Sequence, residues 1–256
     1  MTPALPDAFR RIPLAHRALH DKAAGRVENS RAAILAAISH GYGIEIDVQP
    51  SKEGCAMVFH DYDLKRLTGQ RGAIQQREAH DLGQVVLLGG DEGIPTLDEV
   101  LKLVAGTVPL LIELKDQHGQ MGPTDGRLEA AVANDLQGYA GPVAVMSFNP
   151  EMVARLATLA PAVPRGLTTA AFSPENWPLL KPQVRDRLRA IPDFKRVDAS
   201  FISHDVNDLD SPRVAELRAQ GADILCWTVK SQAKEQAARR VACNITFEGY
   251  LPEFPA

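Results

Sequence analysis

The sequence predicts a closed (β/α)8 barrel that takes up the whole chain. Three observations lead to this fold class. The chain has 256 residues, apolar segments suited to buried strands alternate with helical segments, and the strand-like segments number eight. Alternating strands and helices form parallel sheets, and eight such units in about 250 residues are typical of a barrel. Because no linker or second core interrupts the pattern, we expect a single domain over residues 1–256.

Local signals support the individual elements. Glu28, Asn29 and Ser30 offer N-cap oxygens to the helix that follows them, and Thr96 forms a capping box with Glu99. The predicted strands span residues 12–17, 43–48, 109–115, 143–147, 164–168, 196–201, 222–228 and 243–247. The predicted helices span residues 32–40, 96–105, 126–137, 150–159, 182–190, 211–219 and 231–240.

One segment departs from this alternation. Residues 55–59 predict a short extended piece, and residues 62–94 are polar, contain six glycines and show little periodicity. Connections between strands and helices usually have about 2 to 6 residues. We therefore expect an insertion after the second strand, over residues 62–94, that lies over the site at the barrel rim.

Composition excludes several functional classes. The net charge is -4, and the 28 Lys and Arg residues are scattered, so we expect no nucleic-acid partner. No apolar run approaches the roughly 20 residues that span a bilayer or resembles a signal peptide. We therefore expect no stable membrane insertion and a cytoplasmic location. Cys55, Cys226 and Cys243 are widely spaced and indicate neither disulfides nor a zinc site. The oligomeric state stays open.

The second strand carries two carboxylates on one face. Successive side chains of a strand alternate, so Glu45 and Asp47 project to one side and Ile44, Ile46 and Val48 to the other. A half-exposed strand with a solvated polar face is one interpretation. The alternative is a site, because paired buried carboxylates need a compensating cation or shift their pKa values.

The ends of the predicted strands gather reactive side chains on one rim, where barrel chemistry takes place. Three carboxylates offer hard oxygen ligands for Mg2+ or Ca2+, two cations suit a phosphate, and two histidines act as acid and base near neutral pH. Together these groups describe phosphodiester cleavage. The rim residues are His16, Arg17, Glu45, Asp47, His60, Glu113, Lys115, Ser147, Trp227 and Glu248.

An ordered set of motifs resembles the glycerophosphodiester phosphodiesterase family. The match is dense up to Lys115 and thinner afterwards, with weaker echoes at Ser147-Phe148 and Trp227-Thr228-Val229. Each motif alone is weak, but their order is specific. The matching motifs are Ala15-His16-Arg17, Glu28-Asn29-Ser30, Glu45-Ile46-Asp47-Val48, Val58-Phe59-His60-Asp61 with Leu64 and Arg66-Leu67-Thr68, residues 94–101 and Ile112-Glu113-Leu114-Lys115.

The resemblance implies metal-dependent hydrolysis of a small glycerophosphodiester to glycerol 3-phosphate and an alcohol. It implies one divalent cation, Mg2+ or Ca2+, held by Glu45, Asp47 and Glu113. It further implies His16 and His60 as acid and base, and Arg17 and Lys115 as phosphate-binding residues. On the same rim Trp227 either fills the barrel or covers a choline or glycerol group of the substrate.

Departures from the family pattern leave two alternatives open. Ala18 stands where the family usually has Gly, and residues 244–250 replace its usual pattern near the last strand. The alternatives are a phosphodiesterase for a lysophospholipid or another phosphodiester, and a catalytically silent barrel that binds a phosphorylated ligand. His20, His118 and His204 follow predicted strands and are further candidates for the pocket.

Overall fold

Eight parallel strands close into a barrel in the computed structural model, which describes residues 3–255. The strands are β1 (Leu14–Ala15), β2 (Gly43–Pro50), β3 (Ala56–Val58), β4 (Leu110–Leu114), β5 (Val143–Ser147), β6 (Arg165–Thr169), β7 (Phe201–Asp205), β8 (Asp223–Val229) and β9 (Asn244–Phe247). Neighbours pair in the order β1-β9-β8-β7-β6-β5-β4-β2, and β1 also pairs with β2, so the ring is closed. The short β3 is antiparallel to β2 and stands outside the ring. The predicted fold class is confirmed.

Helices surround this ring. The predicted capping box is present, since the Thr96 hydroxyl accepts from the Glu99 backbone and the Glu99 side chain accepts from the Thr96 backbone. Within residues 3–255, no helix is long and apolar enough to cross a membrane. The helices are α1 (Ala8–Arg11), α2 (Arg31–Ser39), α3 (Lys65–Thr68), α4 (Ala79–Gln84), α5 (Leu97–Val104), α6 (Arg127–Asp135), α7 (Pro150–Leu159), α8 (Pro182–Arg189), α9 (Pro212–Ala219) and α10 (Gln232–Ala238).

The core has an outer and an inner layer. Ile44 and Ile46 pack in the outer layer with buried residues of the surrounding helices. In the inner layer Phe201 belongs to one apolar cluster with Phe9, the buried residue of α1. Gly166 on β6 makes room there, because an added Cβ would lie 2.4 Å from the Phe201 ring. Burying one such aromatic ring contributes about 2 to 3 kcal/mol.

The predicted strand 196–201 is wrong by several residues. The chain forms a turn before β7, in which the Val197 N–H donates to the Asp193 carbonyl and Asp198 has a left-handed φ of 49°. Val197 packs in the outer core from this turn. Its apolar character therefore reflects burial in a turn, and His204 lies inside β7 instead of following the strand.

The insertion is more ordered than its polar composition indicates. It forms α3 and α4 around an apolar cluster that it shares with Val27, Met57 and Phe59 of the adjoining chain. The carboxylate of Glu92 accepts from the backbone N–H groups of Arg31 and Ala32 at 2.9 Å each and so helps to cap α2. The insertion is thereby fixed to the barrel. The buried residues of this cluster are Val27, Met57, Phe59, Leu64, Leu67, Ile74, Leu82, Leu87 and Ile94.

Candidate active site

Three carboxylates meet inside the C-terminal end of the barrel. Asp47 on β2 is paired with Glu113 on β4 in the parallel register. Glu45 lies two residues before Asp47 on β2, on the same face of the strand. They are 1%, 5% and 2% exposed, respectively, which excludes the interpretation of a half-exposed strand. Burial, followed by the charges of Asp47 and Glu113, raises the pKa of Glu45 well above its usual range.

Two cations contact these carboxylates. Lys115 Nζ lies 2.6 Å from Asp47 Oδ1 and also donates to Glu113, and Arg17 Nε lies 3.5 Å from Asp47 Oδ2. Burial alone would raise the pKa of Asp47, but the charges of Lys115, His60 and Arg17 outweigh it and lower the pKa. Burial would likewise lower the pKa of Lys115, but Asp47 and Glu113 raise it overall. Asp47 and Lys115 therefore form an ionised pair inside the cluster.

The carboxylate cluster fits a divalent cation. Glu45, Asp47 and Glu113 each present one oxygen, and these oxygens lie within 4.8 Å of one another. Such hard donors suit Mg2+ and Ca2+. The sequence-predicted ligands are thus brought together, and the Lys115 and Arg17 side chains form ion pairs with two of the three carboxylates, Asp47 and Glu113.

His16 is held by a carboxylate from the neighbouring strand. β1 pairs with β9, and Ala15 is aligned with Phe247. The residues that follow these two, His16 and Glu248, therefore lie side by side, with His16 Nδ1 and Glu248 Oε2 2.9 Å apart. The hydrogen bond from His16 lowers the pKa of Glu248 to about 2, so this carboxylate is an acceptor and the proton resides on Nδ1. Burial lowers the pKa of His16, with Glu248 acting in the opposite direction.

His60 is held by a network that leads back to the carboxylate cluster. Its Nδ1 lies 2.7 Å from Asp61, which also accepts from Arg66 at 2.6 Å. Arg66 donates twice to Glu28, and Glu28 accepts from Arg17 at 2.7 Å. Burial would raise the pKa of Asp61, but the hydrogen bonds from His60 and Arg66 lower it. Each histidine therefore has its own ionised carboxylate.

Glu28 and Asn29 have other roles than the predicted helix capping. Only Ser30 of that triplet caps α2, by accepting from the Ala33 N–H. Asn29 donates to the Asp47 carboxylate at 2.9 Å and accepts from the Asp47 backbone at 3.2 Å. These contacts of Glu28 and Asn29 were not predicted from the sequence, although both residues belong to a motif shared with the family. Asp61 and Arg66 were missed in the same way.

A cavity of about 720 Å3 opens from the site. Its polar lining includes His60, Glu113 and Lys115. Its apolar lining consists of Met121, Phe148 and Trp177. The insertion supplies another wall, formed by Tyr62, Asp63, Lys65 and Arg66.

The aromatic side of the cavity belongs to a larger cluster. Trp227 lies behind Phe148, with ring centroids 5.4 Å apart, and its Nε1 donates to the Ser203 carbonyl at 3.0 Å. Trp177 packs on Phe148 at 4.9 Å. Trp227 lines a neighbouring cavity of about 410 Å3, together with Trp177. Direct contact between Trp227 and substrate stays a prediction, and Trp177, which lies in a long loop without any motif, was missed.

Two other rim candidates lie in the barrel wall. Ser147 is buried, and its hydroxyl donates to the Leu114 carbonyl at 2.7 Å. His204 is 2% exposed and contacts Thr169 and Asp208. The register aligns His204 with Thr169 of β6, while Thr168 is the β6 residue next to Glu113. His204 therefore points away from the carboxylate cluster.

The barrel and its rim are those of a (β/α)8 enzyme with an acidic metal-type site. The family model for the glycerophosphoryl diester phosphodiesterase family matches residues 16–246, and the chain belongs to this family. The predictions of family and enzyme class are confirmed. A provisionally named glycerophosphodiester phosphodiesterase of Bacillus subtilis (strain 168), YhdW, is 29% identical over 238 residues, which cover 89% of each protein.

Solved structures agree on the fold. A phosphodiesterase of Oleispira antarctica, in complex with the product sn-glycerol-3-phosphate, is 23% identical with a TM-score of 0.72 and coverage of 91% of each chain. A glycerophosphodiester phosphodiesterase of Parabacteroides distasonis is 22% identical with a TM-score of 0.71, covering 93% of this chain and 92% of its own.

Proposed function

We propose that this protein hydrolyses glycerophosphodiesters to glycerol 3-phosphate and an alcohol by histidine acid-base catalysis with one divalent cation. The observation that carries the proposal is the convergence of His16, His60 and the carboxylate cluster at one end of the barrel. The glycerol 3-phosphate bound to the Oleispira antarctica phosphodiesterase supports the choice of product.

Glu45, Asp47 and Glu113 would hold the cation. When bound, the cation offsets negative charge on the phosphoryl oxygens and lowers the pKa of the attacking hydroxyl. Arg17, whose side chain is 19% exposed, would support the phosphate with its guanidinium group, which Glu28 and Asp47 hold at the rim. Lys115, with its raised pKa, stays charged beside the phosphate position.

The two histidines differ in a way that divides their tasks. The lowered pKa of His16 keeps it neutral near pH 7, and with its proton on Nδ1 the Nε2 lone pair takes the proton of the substrate's 2-hydroxyl. The hydroxyl oxygen then bonds to phosphorus, while His60 on the cavity side gives a proton to the departing alcohol. Water opens the cyclic phosphate, with the proton transfers reversed.

The test is release of glycerol 3-phosphate from glycerophosphocholine and glycerophosphoethanolamine, with EDTA and with added Mg2+ or Ca2+. We expect release that EDTA abolishes and metal restores. Release of choline from lysophosphatidylcholine but not from glycerophosphocholine, with an acylated glycerol 3-phosphate as the other product, would replace the proposed substrate by a lysophospholipid. No release with any metal or substrate would overturn the proposal in favour of a silent binding barrel.

Glu45→Gln tests the ligand set by calorimetric titration with Mg2+ and Ca2+. The amide keeps the shape but loses the charge, so we expect metal affinity to fall roughly 10-fold or more. Glu53→Gln, a carboxylate away from the cluster whose side chain bonds Ser51, is the matched control. Equal affinity in both variants would remove Glu45 from the ligand set.

A further inference from the structure

A second cluster of metal-ligating side chains lies at the rim, outside the carboxylate cluster. His16, His20 and Glu248 each present one ligand atom, and the three atoms lie within 4.8 Å of one another. All three residues are partly exposed. Two imidazoles and one carboxylate are a donor set of zinc sites that keep one position open. This set differs from the carboxylate cluster and favours a different ion.

The local backbone brings the two histidines together. After His16 the chain turns sharply, since Arg17 and Ala18 have left-handed φ values of 51° and 64°. The His20 N–H then donates to the Ala18 carbonyl at 2.9 Å. The turn returns His20 toward the end of β9, where Glu248 lies. Two imidazoles four positions apart in the sequence are therefore brought close to one carboxylate.

The cluster has its own access from solvent. His20 and Glu248 line a cavity of about 560 Å3, whose walls also include Lys22 and Tyr250. The large cavity beside His60 has a different set of lining residues. Lys230 contacts Glu248 through Oε1 at 3.3 Å, whereas Oε2 faces His16. Since the Lys230 side chain is 65% exposed, it can move away without loss of packing.

We propose that His16, His20 and Glu248 bind Zn2+ and that this binding inhibits the enzyme. Imidazole nitrogens favour Zn2+ over Mg2+ and Ca2+. Zinc ligands lie about 2.0 to 2.2 Å from the ion. Small rotations of these partly exposed side chains bring the three ligand atoms to that distance from one ion. Zinc binding at this site does not depend on the proposed function, whereas the inhibition rests on it.

Inhibition follows from the position of one proton. Zinc takes the Nδ1 lone pair of His16, so the single proton of the neutral ring moves to Nε2. The hydrogen bond from Nδ1 to Glu248 is lost at the same time. Nε2 then carries a proton and cannot accept one from the substrate hydroxyl. Zinc therefore blocks the proton acceptor of the reaction, His16 Nε2, and leaves the carboxylate cluster unchanged.

The binding test uses the full chain in excess Mg2+, titrated with Co2+ as a spectroscopic substitute for zinc and then with Zn2+. We expect visible absorption from nitrogen-bound Co2+ that Zn2+ removes. His20→Ala should weaken zinc affinity roughly 10-fold or more, and His20→Gln should do the same. The exposed His80→Ala is the control. Equal zinc affinity in wild type and both His20 variants would overturn the site.

The inhibition test measures glycerol 3-phosphate release against zinc concentration at fixed excess Mg2+. His20→Ala should keep the zinc-free rate and need a roughly 10-fold higher zinc concentration for half inhibition. Zinc binding through His20 without loss of rate would overturn the inhibition. If no substrate is turned over, the Co2+ titration still decides the site, so its failure is distinguishable from failure of the proposed function.

Discussion

The two halves of the barrel rim differ in chemistry. The half built from β1, β2, β4 and the insertion carries charged side chains joined by ion pairs, among them those of Asp47, Glu28 and Asp61. The half built from β5 to β8 carries aromatic rings in mutual contact. These rings are Phe148, Phe172, Trp177 and Trp227.

This difference separates two tasks. Ion pairs in a buried cluster fix the positions of groups that must face the phosphate, because each side chain is held by several partners. Aromatic rings offer a broad apolar surface with an electron-rich face, suited to a cationic or apolar group. We infer that the charged half performs the reaction and the aromatic half selects the alcohol. Variants in each half should therefore alter different kinetic parameters.

His60→Ala should give the largest loss. Removing the proton donor of the charged half should lower kcat by about 10^2 to 10^4, measured as glycerol 3-phosphate release at saturating substrate. The side chain is 31% exposed, so the melting temperature should stay within a few degrees. His80→Ala is the matched control. An activity within 10-fold of wild type would remove His60 from the acid role.

Glu248→Gln should lower kcat by roughly 100-fold through the wrong tautomer of His16. Because Lys230 donates to Oε1, the amide oxygen should face Lys230 and the amide nitrogen should face His16. The imidazole proton would then move to Nε2, where a lone pair is needed. The double variant Glu248→Gln with Lys230→Ala lets the amide rotate and should recover part of the rate. Absence of any recovery would contradict the tautomer explanation.

The pH profile should show the state of His16. Burial lowers its pKa below the usual 6.5, and the neutral ring is the active form. The titration of His16 should therefore leave kcat/KM unchanged above pH 6.5. Below the lowered pKa of His16, kcat/KM should fall about tenfold per pH unit. The measurement is made at saturating metal. An acid limb centred above pH 6.5 would show that His16 is not the base.

Trp177→Ala should act on substrate choice. Loss of an aromatic face beside the cavity should reduce kcat/KM for glycerophosphocholine about threefold to tenfold, with a smaller change for the uncharged glycerophosphoglycerol. The rate of the chemical step on a small diester should stay close to wild type. Leu179→Ala, 86% exposed in the same loop, is the control. Equal losses for both substrates would assign Trp177 to general packing instead of selection.

The same division explains what the sequence could predict. Strand periodicity and the order of motifs identified the fold and the residues of the charged half, including Glu45, Asp47 and Glu113. The contacts of Glu28 and Asn29 were misassigned because a polar residue before a helix has the same appearance whether it caps the helix or reaches a distant side chain. Trp177 could not be found, because a loop residue approaches the cavity only through long-range packing with Phe148.

Ala18→Gly should have the smallest effect. The residue replaces the glycine usual in the family and has a left-handed φ of 64°, so glycine relieves about 1 kcal/mol of strain. Ala18 is also 2% exposed in the outer core, and removal of its methyl costs about 0.8 kcal/mol. The free energy of unfolding should therefore change by less than about 1 kcal/mol, measured by urea denaturation.

Ala105→Gly is the matched control, because Ala105 shares the left-handed conformation, with φ 46°, but is exposed at the end of α5. With no buried methyl to lose, it should stabilise the protein by about 0.5 to 1 kcal/mol. The rate of Ala18→Gly should stay within twofold of wild type, since its backbone N–H still donates to the Glu45 carbonyl. A tenfold gain in rate would instead show that the Ala18 methyl crowds the phosphate.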